Sequence, residues 1–379
     1  MIFFIPNFTI LTDSLHYFEI KYQNLLYAVL EMGKGVMYNS SKLILLLLIP
    51  KREDRNMCTS ISFKTKDHYF GRNLDYEFSY NETVTVTPRN FPLRFRKVKE
   101  LKSHYAIIGM AFVQENYPLY YDATNEKGLS MAGLNFPRYA DYKPLTKGKD
   151  NVTPFEFIPW ILGQCATVAE ARVLLSKISL YNENFSEQLK LSPLHWHICD
   201  SVESIVVEST KEGLKIHDNP VGVMTNSPTF DFHMLNLSHY MGVTREIATN
   251  RFADKLNIDA YSRGAGGFGL PGDLSSASRF VRAAFVLNNS VVGDSEKESV
   301  SHFFHILGSV AQQKGCCAVD HGYEYTIYSS CCNTTKGIYY YTTYENSQIS
   351  AVDMHKTDID GKTLTSYPLL TDWNVKKQN

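Results

Sequence analysis

The chain has 379 residues, 44% hydrophobic, 20% charged and 13% aromatic, which excludes a disordered, collagen-like or coiled-coil protein and allows one large domain or two ordinary ones. Lys and Arg number 38 against 39 Asp and Glu, for a net charge of -1, so no global positive field holds a polyanion and nucleic-acid binding is not expected. Seven cysteines, an odd number in a long chain without an evident secretory signal, predict free thiols in a reducing compartment.

Residues 1–56 mix apolar and polar side chains without a clear period. Their most apolar run, Leu43 to Pro50, is far short of the ~18–20 residues that a membrane span needs. No Lys or Arg opens the chain as a signal peptide requires, and no small-residue cleavage site follows the run. Three readings remain: a buried or interfacial helix, a cleaved pro-segment, or a stretch that is not part of the working protein. We prefer the third. Arg52-Glu53-Asp54 can be encoded AGG-GAG-GAT, which contains a bacterial ribosome-binding sequence a short spacing upstream of the Met57 codon. The expected organisation is an extension over 1–57 and one catalytic domain over 58–379.

From Cys58 onward no linker, charge block or repeat interrupts the pattern. Alternation predicts strands at Ser60–Phe63, Tyr69–Arg72 and Thr83–Thr87, with more apolar strands at Tyr105–Phe112 and Leu129–Leu134. Pro154–Leu162 reads as a helix with proline in its first turn. Thr167-Val168-Ala169-Glu170 reads as a capping box opening a second. Strands return at Leu194–Cys199, Ser204–Ser209 and Gly222–Thr225, then helices at Ser276–Leu287 and Glu298–Gln313. The C-terminal runs YEYTIYSS, GIYYYTTYE and ISAVDM are strand-rich. Strands, then helices, then strands again predict an α+β fold of mostly antiparallel sheets covered by helices.

Three constellations could carry chemistry. His195, His197 and Cys199 share one face of a strand, a plausible zinc set without an evident fourth ligand; structural histidines are the better expectation. The doublets Cys316-Cys317 and Cys331-Cys332 lack metal spacing and read as small buried residues. The glycine string Gly264 to Gly269 fits a dinucleotide fingerprint in letters, but follows a polar segment and precedes Leu270-Pro271-Gly272, so a loop is expected. The third constellation is Met57-Cys58-Thr59 with Gly71-Arg72-Asn73-Leu74-Asp75. With Met57 removed, Cys58 carries both a thiol and an α-amine. The amine's reference pKa of about 7.7–8 makes it a base near neutral pH, and the thiol is the most nucleophilic side chain there.

The segments MCTSISFKTKDHYFGRNLDYEFSYNE, YPLYYDATNEKGLSMAGLNFP, TPFEFIPWILGQC, SPLHW, IVVEST, MTNSP, GLPGDLSSASRF, YTIYSSCCN and YYYTTYENSQISAVDM resemble, in order and across 58–379, the choloylglycine hydrolase family, in particular the bile salt hydrolases of Gram-positive gut bacteria. The resemblance implies the N-terminal nucleophile hydrolase fold, a four-layer αββα sandwich of mostly antiparallel sheets. It implies that Cys58 is the nucleophile, flanked by Arg72 and Asp75. The backbone N–H of Asn135 and the side-chain amide of Asn226 would face the oxyanion, and Arg279 would complete the polar cluster.

The activity this resemblance implies is hydrolysis of the amide joining a steroid acid to glycine or taurine, through a Cys58 thioester, with no cofactor and no metal. Partners are conjugated bile salts of the glycocholate or taurocholate type, without nucleic acid or membrane, in a cytoplasmic homotetramer with a projecting segment like Asn182–Leu194. The apolar pocket is expected near Tyr76, Phe78, Tyr117 and Phe136, with Arg263 at the amino-acid end of the substrate. Asn135 favours bile salts over penicillin V, whereas Ser227 in TNSP also occurs among penicillin V acylases. If 1–57 stayed attached, Cys58 would have no free amine and the protein would be a non-catalytic bile-salt binder.

Overall fold

Cys58–Lys64 (β1) and His68–Tyr76 (β2) pair antiparallel, with Cys58 opposite Leu74 and Ser60 opposite Arg72. The computed structural model that shows this describes residues 57–319 and 322–379; the extension expected before Cys58 lies outside them up to its last residue. Thr83–Thr87 (β3), Ile107–Gln114 (β4), Tyr117–Asn125 (β5) and Ser130–Asn135 (β6) come next as an antiparallel meander. The strands Asp150–Val152 (β7) and Ile178–Leu180 (β8) form a small parallel pair around helices Pro154–Gln164 (α1) and Val168–Leu175 (α2). Beyond them lie Leu194–Cys199 (β9), Ser204–Thr210 (β10), Gly213–Asp218 (β11) and the two-residue Val223–Met224 (β12). Three helices come after these strands, Phe230–Asn236 (α3), Ser276–Asn289 (α4) and Glu296–Gly308 (α5). Cys317–Val319 (β13), Gly322–Asn333 (β14), Ile338–Thr343 (β15), Ser350–Asp353 (β16) and Thr365–Pro368 (β17) close the chain.

These strands build two large sheets. One runs β12-β1-β2-β14-β15-β16, with β13 on β14; the other runs β11-β10-β9-β6-β5-β4-β3-β17. Each sheet is covered on both faces, and its central strands, such as β2 and β6, are buried at nearly every position. One core joins β1, β2 and β14 to Val84, Ile108, Met110, Leu134 and Val206 of the second sheet, and to Phe280 and Phe303 of α4 and α5. A second core packs the far face of the second sheet, through Met131, Trp196 and Val207, on Phe157, Ile161 and Ala171 of α1 and α2. The order is therefore helices, sheet, sheet, helices, the α+β four-layer arrangement of mostly antiparallel strands that was expected.

Where boundaries differ from expectation, local chemistry explains why. The last helix starts at Glu296 because Ser295 is its N-cap and Glu298 is the third residue of its capping box. It stops at Gly308, well before Gln313. β5 escaped the sequence reading because Pro118 lies inside it. β4 turns into it through Glu115 and Asn116, both at positive φ, without a glycine to announce the hairpin. The glycine string holds only a 3-10 turn at Ala265–Gly267 and opens no α-helix. Among the cysteines, Cys331 and Cys332 are buried as expected, but Cys316 is exposed and Cys317 half-buried. These two sit at the start of the marginal hairpin β13–β14, where one partner strand leaves a face open. All seven cysteines are free thiols, and no described helix is long and apolar enough to cross a membrane.

Candidate active site

Cys58 is the first residue of β1 and is buried. Its backbone N–H donates to Asn226 Oδ1 at 2.6 Å. Asn226 lies just past β12, the edge strand beside β1, so the sheet itself brings these residues together. Arg279, in the first turn of α4, reaches the same point from the helix layer. Its Nη1 donates to the Cys58 carbonyl oxygen (2.5 Å) and to Thr59 Oγ1 (2.6 Å), and its Nη2 donates to Asn226 Oδ1 (2.8 Å). From the second sheet comes Asn135, the last residue of β6, whose carbonyl accepts from Asn226 Nδ2 at 2.9 Å.

Arg72 and Asp75 leave β2 on opposite faces, as residues three apart in a strand must. Arg72 crosses to the second sheet, where its Nη1 donates to the carbonyls of Gly133 (2.6 Å) and Tyr121 (3.1 Å). Asp75 faces the helix layer; its carboxylate accepts from Thr326 Oγ1 (2.6 Å) and Gln312 Nε2 (3.1 Å). The glycine before Arg72 is required by packing. A Cβ on Gly71 would stand 2.0 Å from the Ser330 carbonyl oxygen, so only glycine lets β14 close on β2 here.

Burial pushes the Cys58 thiol up; the Arg72 charge opposes this and Asp75 adds to it. Burial likewise raises the Asp75 carboxyl, against the pull of Arg279, Thr326 and Arg72. The resting thiol is therefore neutral, and attack requires a base. A second buried carboxyl, Glu324, accepts from the Met57 backbone N–H. Burial lifts it to about 8, and Asp75 reinforces the effect against the Met57 bond.

The structure therefore gathers Cys58, Asn135, Asn226 and Arg279 at one end of β1, with Arg72 and Asp75 acting on the thiol from either side of β2. Thr59, Thr326, Gln312 and Glu324 were missed. Gln312 holds Asp75 only because the helix ends at Gly308 and lets the chain fold back.

The pocket residues divide. Tyr76 and Phe78 form an aromatic cluster with Tyr80 and Phe112, and Phe78 is half exposed. Tyr117 packs on Phe155 and Phe185 beside α1 and lines a cavity of about 320 Å³ with Arg94 and Arg96. Tyr117 is the first residue of β5, paired with Gln114 at the hairpin end of the strand. Phe136 is fully buried against His195 and so offers no open wall. Arg263 lies in an exposed loop. A larger cavity, about 500 Å³, is lined by Lys64, Arg172 and Asp218 at the opposite end of β1 from Cys58.

The His195/His197/Cys199 set does not converge on a metal, and among the described residues no group of three or more His, Cys, Asp or Glu does so. His197 bridges Ser60 Oγ and Ser204 Oγ, both at 2.8 Å. His195 Nδ1 meets Glu208 Oε1 at 3.2 Å, and His217 Nε2 approaches Glu208 Oε2 at 3.4 Å, an ion-pair distance with poor hydrogen-bond alignment. Burial alone would raise Glu208, but His195 and His217 outweigh it and hold the carboxyl down to about 2. A depressed folded-state pKa stabilises the protein above the unfolded value and loses that stability as pH falls through the folded one. Glu208→Gln is therefore expected to lower stability at neutral pH by on the order of 3 kcal/mol. The gap to wild type should close between about pH 4.5 and 2, as read by denaturant unfolding along a pH series; a gap that does not change with pH refutes the linkage.

The family model for linear amide C–N hydrolases, choloylglycine hydrolase family, matches residues 58–367. A bile salt hydrolase/transferase of Lactiplantibacillus plantarum is 59% identical over 317 residues, 83% of this chain and 98% of that protein. One from Clostridium perfringens is 42% identical over 318 residues, 82% of this chain and 96% of that protein. The crystal structure of a mutant conjugated bile acid hydrolase from Clostridium perfringens superposes with a TM-score of 0.78 at 38% identity, covering 85% of this chain and all of that one. A penicillin V acylase from Agrobacterium tumefaciens shares the fold, with a TM-score of 0.64 at 21% identity.

Proposed function

The chain belongs to the choloylglycine hydrolase family of linear amide C–N hydrolases, and on that premise we propose that it cleaves the amide bond of glycine- or taurine-conjugated bile salts through a thioester on Cys58. The observation that carries this reading is the convergence on the Cys58 backbone nitrogen, held 2.6 Å from Asn226 Oδ1 beside the Arg279 fork. In the continuous chain that nitrogen is a peptide N–H. Removal of residues 1–57 turns it into an amine in the same cradle, next to the thiol it must deprotonate.

The α-amine takes the thiol proton while sulfur attacks the amide carbonyl carbon. The tetrahedral oxyanion is met by the Asn135 N–H and by Asn226 Nδ2, which carries two hydrogens and uses one on the Asn135 carbonyl. The C–N bond breaks, and the leaving amine receives the proton. Water, deprotonated by the same α-amine, attacks the thioester; the acid leaves and sulfur regains its proton. The steroid end would lie against the Tyr76/Phe78 cluster, where the half-exposed Phe78 ring suits an apolar ligand. A homotetramer is part of the same reading, and the exposed Met241, Ile247, Phe252, Tyr261 and Phe268 are the surface it would cover.

The test pairs intact mass with turnover. Active material is expected to begin at Cys58 with a free amine and to release amino acid from glycocholate or taurocholate faster than it removes the side-chain acyl group of penicillin V. A fully active protein still carrying residues 1–57 refutes the amine as base. Penicillin V turned over faster than either bile salt moves the substrate and leaves the mechanism in place.

A further inference from the structure

His195 has a second relation to the site that its zinc-like spacing conceals. It lies on β9 opposite Leu134, one residue from Asn135 in the sheet register. Its ring lies flat on Phe136, with centroids 4.2 Å apart and planes 8° apart. Its Nε2 is 2.9 Å from the carbonyl oxygen of Thr225, the residue before Asn226. A carbonyl oxygen only accepts, so Nε2 carries the hydrogen and donates it. One buried imidazole therefore touches the residue after one asparagine and the residue before the other.

The surrounding contacts fix the imidazole in turn. Glu208 Oε1 meets Nδ1 at 3.2 Å and also accepts from the Phe230 N–H at 2.9 Å, at the start of α3. His233 Nε2 bonds the Asn226 carbonyl at 2.8 Å. With the Asn226 N–H donating to Ser276 Oγ at 2.9 Å, side chains tie down the segment from Thr225 to Phe230 at four backbone atoms. Asn135 ends a strand of one sheet, and Asn226 sits just past an edge strand of the other. No ladder hydrogen bond sets the distance between them; the side-chain bond from Asn226 Nδ2 to the Asn135 carbonyl joins them directly, and the imidazole holds the backbone on either side of that bond. Donors that serve one oxyanion must be held to within about 0.5 Å.

We propose that His195 is a positioning residue for the oxyanion pair, its ring fixing the Asn135–Phe136 segment and its Nε2 fixing Thr225–Asn226. This rests on the reading of Asn135 and Asn226 as oxyanion donors. The test is a double-mutant cycle on purified protein with glycocholate. His195→Phe keeps a ring on Phe136 and loses the bond to Thr225; His195→Gln keeps a donor and loses the ring. Each is expected to lower kcat about 10- to 100-fold with KM changed by less than about threefold, because only the transition state needs the pair in register. Asn226→Ala alone is expected to cost about 10²–10³ in kcat, and on that background either His195 variant should cost no more than about threefold. A loss of equal size in both backgrounds overturns the assignment, as does a His195 variant that keeps kcat within about threefold of wild type while Asn226 is intact. If His195→Phe does not fold, the His195→Gln cycle decides by the same criteria. An Asn226→Ala protein with unchanged kcat sinks the oxyanion reading itself, a result separable from failure of His195 alone.

Discussion

Cys58→Ala is expected to lower turnover of a conjugated bile salt by about 10⁴-fold or more, since removal of a nucleophile leaves only binding and oxyanion contacts to act. The fold should survive. Cys58 packs one sulfur into the core between the sheets, and deleting a single buried heavy atom costs about 1 kcal/mol. The backbone bonds that shape the site, from Cys58 N to Asn226 and from Arg279 to the Cys58 carbonyl, do not involve the thiol. Substrate affinity by calorimetry should therefore stay close to wild type while amine release stops. Cys58→Ser tests the second half of the argument. The α-amine remains, but a hydroxyl is far less acidic than a thiol that burial has already pushed up, so turnover should stay lost. Amine release by Cys58→Ala within tenfold of wild type would remove Cys58 from the chemistry.

The letters around Cys58 and Arg72 made the β1–β2 pair legible because the hairpin is local: a short turn links β1 to β2 and sets their register. Arg279 was legible through its segment SSASRF, where Ser275 caps the helix that aims it. Partners contributed by distant segments were not. Thr326 comes from β14 and Gln312 from the coil after α5, and no spacing along the chain connects either to Asp75. His195 gave a visible signal, but His-x-His on a strand reports only a shared face. Whether that face meets a metal, a hydroxyl or a carbonyl depends on which strand lies across from it. Tyr117 read as part of a loop, because the proline beside it hid the strand that it opens.

Arg279→Ala is expected to cost about 3–5 kcal/mol of stability and to abolish turnover, because it breaks a buried charge network rather than a surface pair. The residue is 1% exposed, and its guanidinium donates to Leu274 O, Cys58 O, Thr59 Oγ1 and Asn226 Oδ1. It is also the strongest countercharge to Asp75, which burial raises and Arg279 pulls back down. Alanine leaves four acceptors and one carboxylate without that partner. Arg279→Lys separates charge from geometry. A lysine keeps the positive charge for Asp75 but presents a point ammonium in place of a planar fork, so it cannot bridge Cys58 and Asn226 together. It should regain much of the lost stability in urea titrations and little of the turnover. Arg279→Met with Asp75→Asn makes the complementary test. Removing both charges ends the cost of burying one alone, so the double variant should be more stable than Arg279→Met and equally inactive. If Arg279→Lys turns over substrate like wild type, the fork does not order the Cys58–Asn226 cradle, and the charge beside Asp75 is what the site needs from Arg279.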